Sequence, residues 1–159
     1  MARSMSPPTF KRITVAVDGS PFAADALEVA VDLAKRYTSE LVVLTVAPLP
    51  IYVASTEPWV PTEVPEMEIK HYRGVLDAAV QKAESLGASG VTGVCLEGHV
   101  VDEIVAHLEQ HPADLLVMGS RGLSSAKRLL LGSVSDAVVH HVHCPVLIVR
   151  GTPAEASAR

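Results

Sequence analysis

Short apolar segments alternate with longer segments of helical periodicity along this chain. Five apolar runs of five or six residues are rich in β-branched side chains. Both faces of each run are apolar, as in a parallel strand that helices cover on each side. The five predicted strands are Ile13–Val17, Leu41–Val46, Val91–Leu96, Asp114–Met118 and Pro145–Val149.

Four segments with apolar residues at helical spacing separate these runs. The first, Ala23–Arg36, carries one apolar stripe with charged residues outside it, and Ser20 and Pro21 provide its N-cap and first helical residue. This alternation predicts an α/β fold, a doubly wound open sheet of five parallel strands with four helices. The other predicted helices cover Glu66–Leu86 and Val101–Glu109, and the fourth begins near Ser133.

The predicted domain covers residues 10–150, with flexible segments at 1–9 and 151–159. The connection at 47–65 contains five prolines and the only tryptophan of the chain. It is long for a connection inside a compact domain, which favours a functional flap or a partner surface. A mobile loop without a function is the alternative.

Composition excludes several classes of protein. The 159 residues are 48% hydrophobic, which fits one domain with a full core. With 13 basic and 18 acidic residues and no long basic run, we expect no nucleic-acid partner. No apolar run reaches the ~18 residues of a membrane span, and no signal peptide is evident. Cys95 and Cys144 are predicted to be reduced core thiols, which favours a cytoplasmic location.

Glycine and serine are concentrated after the fourth predicted strand. Gly119 and Gly122 allow the backbone to approach a ligand closely, and Gly132 precedes a helix whose free N–H groups and dipole favour an anion. Ser133 and Ser135 add hydroxyl groups there. These features predict a phosphate site. The alternative for Ser133 is a capping box with the carboxylate three residues later, which would use its hydroxyl within the helix.

A second candidate lies at the end of the first predicted strand. Ligands of open α/β sheets bind beyond the carboxyl ends of the strands, where Asp18 is placed. An Asp before Gly-Ser-Pro also caps turns, so both roles stay open. Arg121, Lys127 and Arg128 are candidates for neutralising phosphates, although the usual exposure of basic residues favours solvated loop charges for the last two.

Other site classes are disfavoured. Neither a Walker A motif nor a G-x-G-x-x-G motif occurs. His140 and Cys144 would share one helix face, but Pro145 ends any helix there and no second pair completes a tetrahedral site. We therefore expect no metal site formed by the protein alone.

The spacing Gly119-x2-Gly122-x9-Gly132-Ser133 resembles the G-2x-G-9x-G-[S/T] signature of the nucleotide-binding universal stress proteins. The resemblance covers about residues 10–150 and includes the segments ITVAVDGS, ADLLVMGSRG and CPVLIV. It implies a Rossmann-like sheet of order 3-2-1-4-5, with ATP at the ends of the first and fourth strands.

Carried over by position, the resemblance implies a set of nucleotide contacts. The main chain at the ends of the first two strands would frame adenine, and Asp18 would contact the ribose or the neighbouring phosphate region. The glycines and the helix at Ser133 would bind the triphosphate. The implied residues are Ala16, Val17, Asp18, Val46, Met118, Gly119, Gly122, Gly132, Ser133, Val134 and Ser135.

The leading hypothesis is an ATP-binding regulatory stress-response protein with little or no turnover, since no residue is evident that would activate a water. ATP would bind alone or with Mg²⁺ or Mn²⁺. The alternatives are a slow ATPase or phosphotransferase that uses Asp18, a cyclic AMP binder, and a chaperone-like scaffold with a vestigial pocket. The resemblance also implies a homodimer through the edge strand Val146–Val149, together with a protein partner that the sequence does not identify.

Overall fold

A computed structural model describes residues 9–49, 63–122 and 131–151. Strands and helices alternate strictly within these ranges. The strands are β1 (Arg12–Ala16), β2 (Glu40–Pro48), β3 (Val91–Gly98), β4 (Leu115–Gly119) and β5 (Val146–Val149). The helices are α1 (Pro21–Tyr37), α2 (Glu66–Ser85), α3 (Val100–Gln110) and α4 (Ser133–His141).

The strands form one parallel sheet in the order β3-β2-β1-β4-β5. This confirms the predicted five-stranded α/β fold and the order 3-2-1-4-5. The strand order reverses between β1 and β4. These two strands are parallel neighbours inside the sheet, so their carboxyl ends lie side by side. The gap beyond their carboxyl ends is therefore where a ligand of such a sheet binds.

Two apolar cores flank the sheet. Alternate strand residues face opposite sides, because the side-chain period of a strand is two. Ile13 and Val117 face the side covered by α1 and α2, whereas Leu44 and Leu116 face the side covered by α3 and α4. The predicted stripe of α1 is buried throughout, and its members are Ala23, Leu27, Ala30, Val31 and Ala34.

Helices α2 and α3 both contact β3, yet the two edge strands are less buried than the central ones. Thr92 of β3 and Leu147 of β5 are exposed, whereas the central strands are buried along most of their length. An edge strand has a neighbour on one side only, so solvent reaches its side chains.

The end of β2 differs from the prediction, and this changes where the long connection begins. β2 continues to Pro48, so the segment predicted as a connection from residue 47 begins with two strand residues. Residues 1–8, 50–62 and 152–159, and with them most of the predicted flap and of both flexible ends, lie outside the described residues. Within the described ranges, no helix combines the length and the hydrophobicity needed to cross a membrane.

The carboxyl end of α1 is closed by an unusual residue. Thr38 adopts a left-handed conformation with φ 55°, and Ser39 N–H donates to Ala34 O at 2.9 Å. This is the geometry of a Schellman cap, where glycine is the usual residue. Thr38 therefore carries a conformational strain that a glycine would not.

We predict that Thr38→Gly raises the free energy of unfolding by about 0.5–1 kcal/mol, because the strain removed exceeds the added entropy of the unfolded chain. Urea denaturation measures the change. Thr92→Gly, the same replacement in the exposed strand β3, should lower stability instead. Equal effects at both positions would contradict the strain at Thr38.

Candidate functional site

The end of β1 is held in place by β2. Val17 N–H donates to Leu44 O at 2.8 Å, and the buried Thr45 hydroxyl donates to Val17 O at 2.7 Å. Main-chain groups of Val17 are thus already engaged before any ligand arrives. Asp18 therefore follows a residue whose main chain is held by two hydrogen bonds.

The two oxygens of the Asp18 carboxylate have different surroundings. Oδ1 accepts a hydrogen bond from Ser20 N–H at 2.9 Å, so the turn role considered from the sequence is realised. Oδ2 faces the turn after β4, where a Cβ built on Gly122 would lie 2.8 Å away. The structure therefore brings Asp18 and Gly122 together, and the turn role leaves one carboxylate oxygen at the meeting point of the two strand ends.

The amino end of α1 forms the wall beside Asp18. Ser20 Oγ accepts from Ala23 N–H at 3.1 Å, and Pro21 occupies the first turn, which confirms the predicted cap. Gly119 has a packing reason for lacking a side chain, since a Cβ there would lie 2.7 Å from the carbonyl carbon and oxygen of Phe22. On the sequence alone, Gly119 is explained by the close approach of a ligand. The contact with Phe22 is sufficient to explain the glycine.

The chain segments on either side of residues 123–130 are joined by Ser120. Its N–H donates to Val149 O at 2.8 Å, and its carbonyl accepts from Gly132 N–H at 2.7 Å and from the Ser135 hydroxyl at 3.1 Å. Ser120 and Ser135 are both buried. The turn after β4 and the start of α4 therefore form one unit.

The amino end of α4 is open. Gly132 is the N-cap residue, and among residues 9–49, 63–122 and 131–151 no side chain caps this helix end. The first intrahelical bond runs from Asp136 N–H to Gly132 O at 2.9 Å. The capping box considered for Ser133 is wrong, because Ser133 is the first helical residue rather than the cap, and its side chain is exposed. The N–H groups of Ser133, Val134 and Ser135 precede the first helical hydrogen bond and face out of the helix end.

The hydroxyl of Ser135 has a different role from the predicted one. It donates within the site, to Ser120 O and Gly132 O at 3.1 and 3.2 Å. A hydroxyl has a single proton, so in this arrangement Ser135 has none left to donate to a phosphate. Its main-chain N–H and the exposed Ser133 hydroxyl are the groups at this position that face outward.

Comparisons with known proteins identify this architecture. A model of the universal stress protein family matches residues 9–150. Universal stress protein YxiE of Bacillus subtilis is 37% identical over 149 residues, covering 89% of this chain and 99% of the relative. This chain belongs to the universal stress protein family.

Solved structures of the family have the same fold. Universal stress protein UspA from Lactobacillus plantarum is 29% identical, with 89% of this chain and 98% of that one covered and a TM-score of 0.76. A crystal structure of a universal stress protein in complex with cAMP is 27% identical, with 89% and 97% covered and a TM-score of 0.66.

Several residues implied by the family signature have buried side chains. Val46 and Met118 pack into the core beneath α3 and α4, and the half-buried Ala16 and Val134 lie against the same core. A ligand would therefore meet their main chain rather than their side chains. Asp18 and the exposed Ser133 differ from these positions, because their polar side chains lie at the end of β1 and at the start of α4.

Of the three basic residues that could neutralise phosphates, one lies within the described residues and two do not. Arg121 extends toward α1, where its Cζ lies 5.8 Å from the centroid of the Phe22 ring. Lys127 and Arg128 lie outside the described residues.

One wall of the site was missed from the sequence. α2 approaches the turn after β1, with Val75 3.3 Å from a Cβ built on Gly19. Tyr72, one helical turn earlier, is half-buried, and its pKa is raised by burial and by the negative charges of Glu68 and Asp18. The sequence places Tyr72 only within the predicted helix Glu66–Leu86. The available signal was the spacing of three residues that puts Tyr72 and Val75 on one helix face.

The histidines near the end of α4 have other partners. His140 pairs with Asp136 at 3.8 Å, and His141 Nδ1 lies 2.7 Å from Ala137 O. α4 ends at His141, so Cys144 does not share a helix face with His140. In the described ranges, His, Cys, Asp and Glu side chains form no group of three or more that could hold a metal ion.

Both cysteines are free thiols, as predicted, although each is half-buried rather than fully in the core. Burial raises the pKa of each thiol. A raised pKa keeps the protonated, unreactive form at neutral pH.

The close approach at Gly119 generates a test. We predict that Gly119→Ala lowers the free energy of unfolding by about 1–3 kcal/mol, because the new methyl group would overlap the Phe22 backbone, which cannot rotate away. Gly74→Ala is the matched control: nothing lies near a Cβ there, and alanine in an exposed helix should stabilise by about 0.5–1 kcal/mol. Thermal or urea unfolding of both variants measures the contrast, and a stable Gly119→Ala protein would contradict it.

Proposed function

We propose that this universal stress protein binds ATP at the carboxyl ends of β1 and β4 and acts as a nucleotide-dependent regulatory protein with little or no turnover. One observation carries the proposal: the uncapped first turn of α4 opens beside the contact between Asp18 and Gly122. The proposed ligand thus lies between two strand ends, with its phosphates at the helix and its sugar near the carboxylate.

The phosphate half of the site rests on backbone chemistry. The first N–H groups of α4 have no partner inside the helix, and the positive end of the helix dipole favours an anion. Hydrogen bonds that the Ser120 carbonyl accepts hold this helix end against the turn after β4, so the donors are positioned before the ligand arrives. Ser133 adds an exposed hydroxyl donor.

The role of Asp18 follows from its charge. A carboxylate repels phosphate oxygens, and it accepts hydrogen bonds from sugar hydroxyl groups. Oδ2 would accept from the ribose, since Oδ1 already accepts from Ser20. Where ATP binds with Mg²⁺ or Mn²⁺, the cation would neutralise phosphate charge, and the same carboxylate would lie near it.

Cyclic AMP is the second candidate ligand. Its support is the structure of a family member in complex with cAMP, which is similar over 97% of its own chain. Both ligands contain adenine, ribose and phosphate, so one site serves either. Competition between ATP and cyclic AMP for the nucleotide-free protein separates the two candidates. A higher affinity for cyclic AMP than for ATP would favour cyclic AMP as the ligand.

Slow hydrolysis or phosphotransfer remains the enzymatic alternative. It would use Asp18 with a bound cation, and phosphate release would disappear in Asp18→Ala. A scaffold with a vestigial pocket is the other alternative, and its activity would persist when Gly122 and Gly132 carry bulkier residues. We favour binding because Asp18 Oδ1 already accepts from Ser20 N–H and Oδ2 is assigned here to the ribose, which leaves neither carboxylate oxygen to position a water. We also propose a cytoplasmic location, which free thiols favour.

We predict that Asp18→Ala weakens ATP binding at least about tenfold, since both the ribose acceptor and the turn are lost. Asp18→Asn keeps an oxygen for Ser20 N–H and should weaken binding less. Isothermal titration calorimetry on nucleotide-stripped protein measures both. Asp32→Ala, an exposed carboxylate farther along α1, is the control and should bind as the wild type does. A wild-type protein that binds neither ATP, ADP nor AMP would overturn the proposal.

A homodimer through β5 is the proposed assembly. β5 pairs with β4 on one side and has no partner strand on the other among the described residues. Leu147 on this strand is 36% exposed. An unpaired apolar edge favours pairing with a second chain.

We predict that Leu147→Asp converts a dimer to a monomer, because it buries a charge in the proposed interface. Light scattering coupled to size-exclusion chromatography gives the mass directly. Met67→Asp replaces a more exposed apolar side chain on α2, far along the chain from β5, and should leave the mass unchanged. Identical masses for wild type and Leu147→Asp would contradict an interface at β5.

A further inference from the structure

We propose that Phe22 and Arg121 form a clasp that positions the turn after β4 against Asp18, so that both side chains control nucleotide affinity without touching the nucleotide. This inference rests on the proposed function, because nucleotide affinity is its readout. The clasp joins the first turn of α1 to the Gly119–Gly122 turn.

Phe22 lies where three chain segments meet. Its backbone contacts Gly119 at the end of β4, and its ring lies 3.4 Å from a Cβ built on Gly151, after the end of β5. The guanidinium carbon of Arg121 lies 5.8 Å from the ring centroid. This distance falls within the range of a cation–π contact.

Arg121 contacts both sides of the site. Its Cα lies 3.2 Å from a Cβ built on Gly132, the N-cap residue of α4, while its side chain reaches Phe22 on α1. The residue therefore connects the amino ends of the two helices that border the site. Gly122, the next residue, is the one that faces Asp18 Oδ2.

This placement gives Arg121 a role other than phosphate neutralisation. The guanidinium is directed to the aromatic ring, so its contribution to binding comes through the position of the turn. A positioning role lowers the affinity of every adenine nucleotide by the same factor when it is lost. A phosphate-neutralising role lowers the affinity for ATP more than for AMP, since ATP carries more charge.

The test uses Phe22→Leu, Arg121→Met and the double variant, with dissociation constants for ATP and AMP measured by calorimetry. Each single variant should weaken both nucleotides by the same factor, about three- to tenfold. The double variant should be no weaker than the weaker single variant, because the two side chains act through one contact. Phe22→Tyr keeps the ring and should bind nearly as the wild type does.

Matched controls separate the clasp from general effects. Phe10→Leu removes a phenyl ring that packs edge-on against Tyr37, away from the site, and Arg36→Met removes an exposed positive charge from α1. Both should retain wild-type affinity. Additive losses in the double variant, or a loss for ATP that exceeds the loss for AMP, would overturn the clasp while leaving ATP binding by the wild type intact. Thermal unfolding of each variant verifies that it is folded, and Arg121→Met, which removes the other partner of the contact, tests the proposal if Phe22→Leu does not fold.

Discussion

The close approach of α1 to β4 is the constraint on which the rest of the site depends. The first turn of the helix lies so near the strand that the position of Gly119 has no room for a Cβ. This contact sets where the chain turns after β4 and thereby places Gly122 beside the carboxylate of Asp18. The packing of a helix on a strand thus brings the two halves of the proposed nucleotide site together.

Polar contacts then fix what packing has placed. Thr45 holds the end of β1 through Val17, and Ser120 holds the start of α4 through Gly132 and Ser135. These groups are buried, so their hydrogen bonds are needed to offset the loss of water. The result is that backbone donors at the sheet edge are oriented by the fold itself, which reduces the ordering that a ligand must supply.

The sequence predicts the fold well because hydrophobic periodicity reports burial directly. The stripe of α1 and the central strands are where the pattern places them. It predicts the site less completely, since contacts between distant segments leave no local signal. Nothing near Gly119 shows that Phe22 is its neighbour, and the spacing of Ser133 and Asp136 suggests a capping box, although the helix begins at Ser133 itself. The spacing of Tyr72 and Val75 places them on one helix face, but it does not show that this face packs over the turn at Gly19.

The Ser120 carbonyl accepts two hydrogen bonds, and this has a consequence for the spacing of the glycines around the site. Gly132 and Ser135 are bonded to the same carbonyl, so the end of the turn after β4 and the start of α4 are held together within the folded core. When two points of a chain are held together in this way, each doubling in the length of the segment between them costs only about 0.6 kcal/mol of closure entropy. Changes of length between Gly122 and Gly132 would therefore cost the domain little stability, so folding alone does not fix the nine-residue spacing between these two glycines.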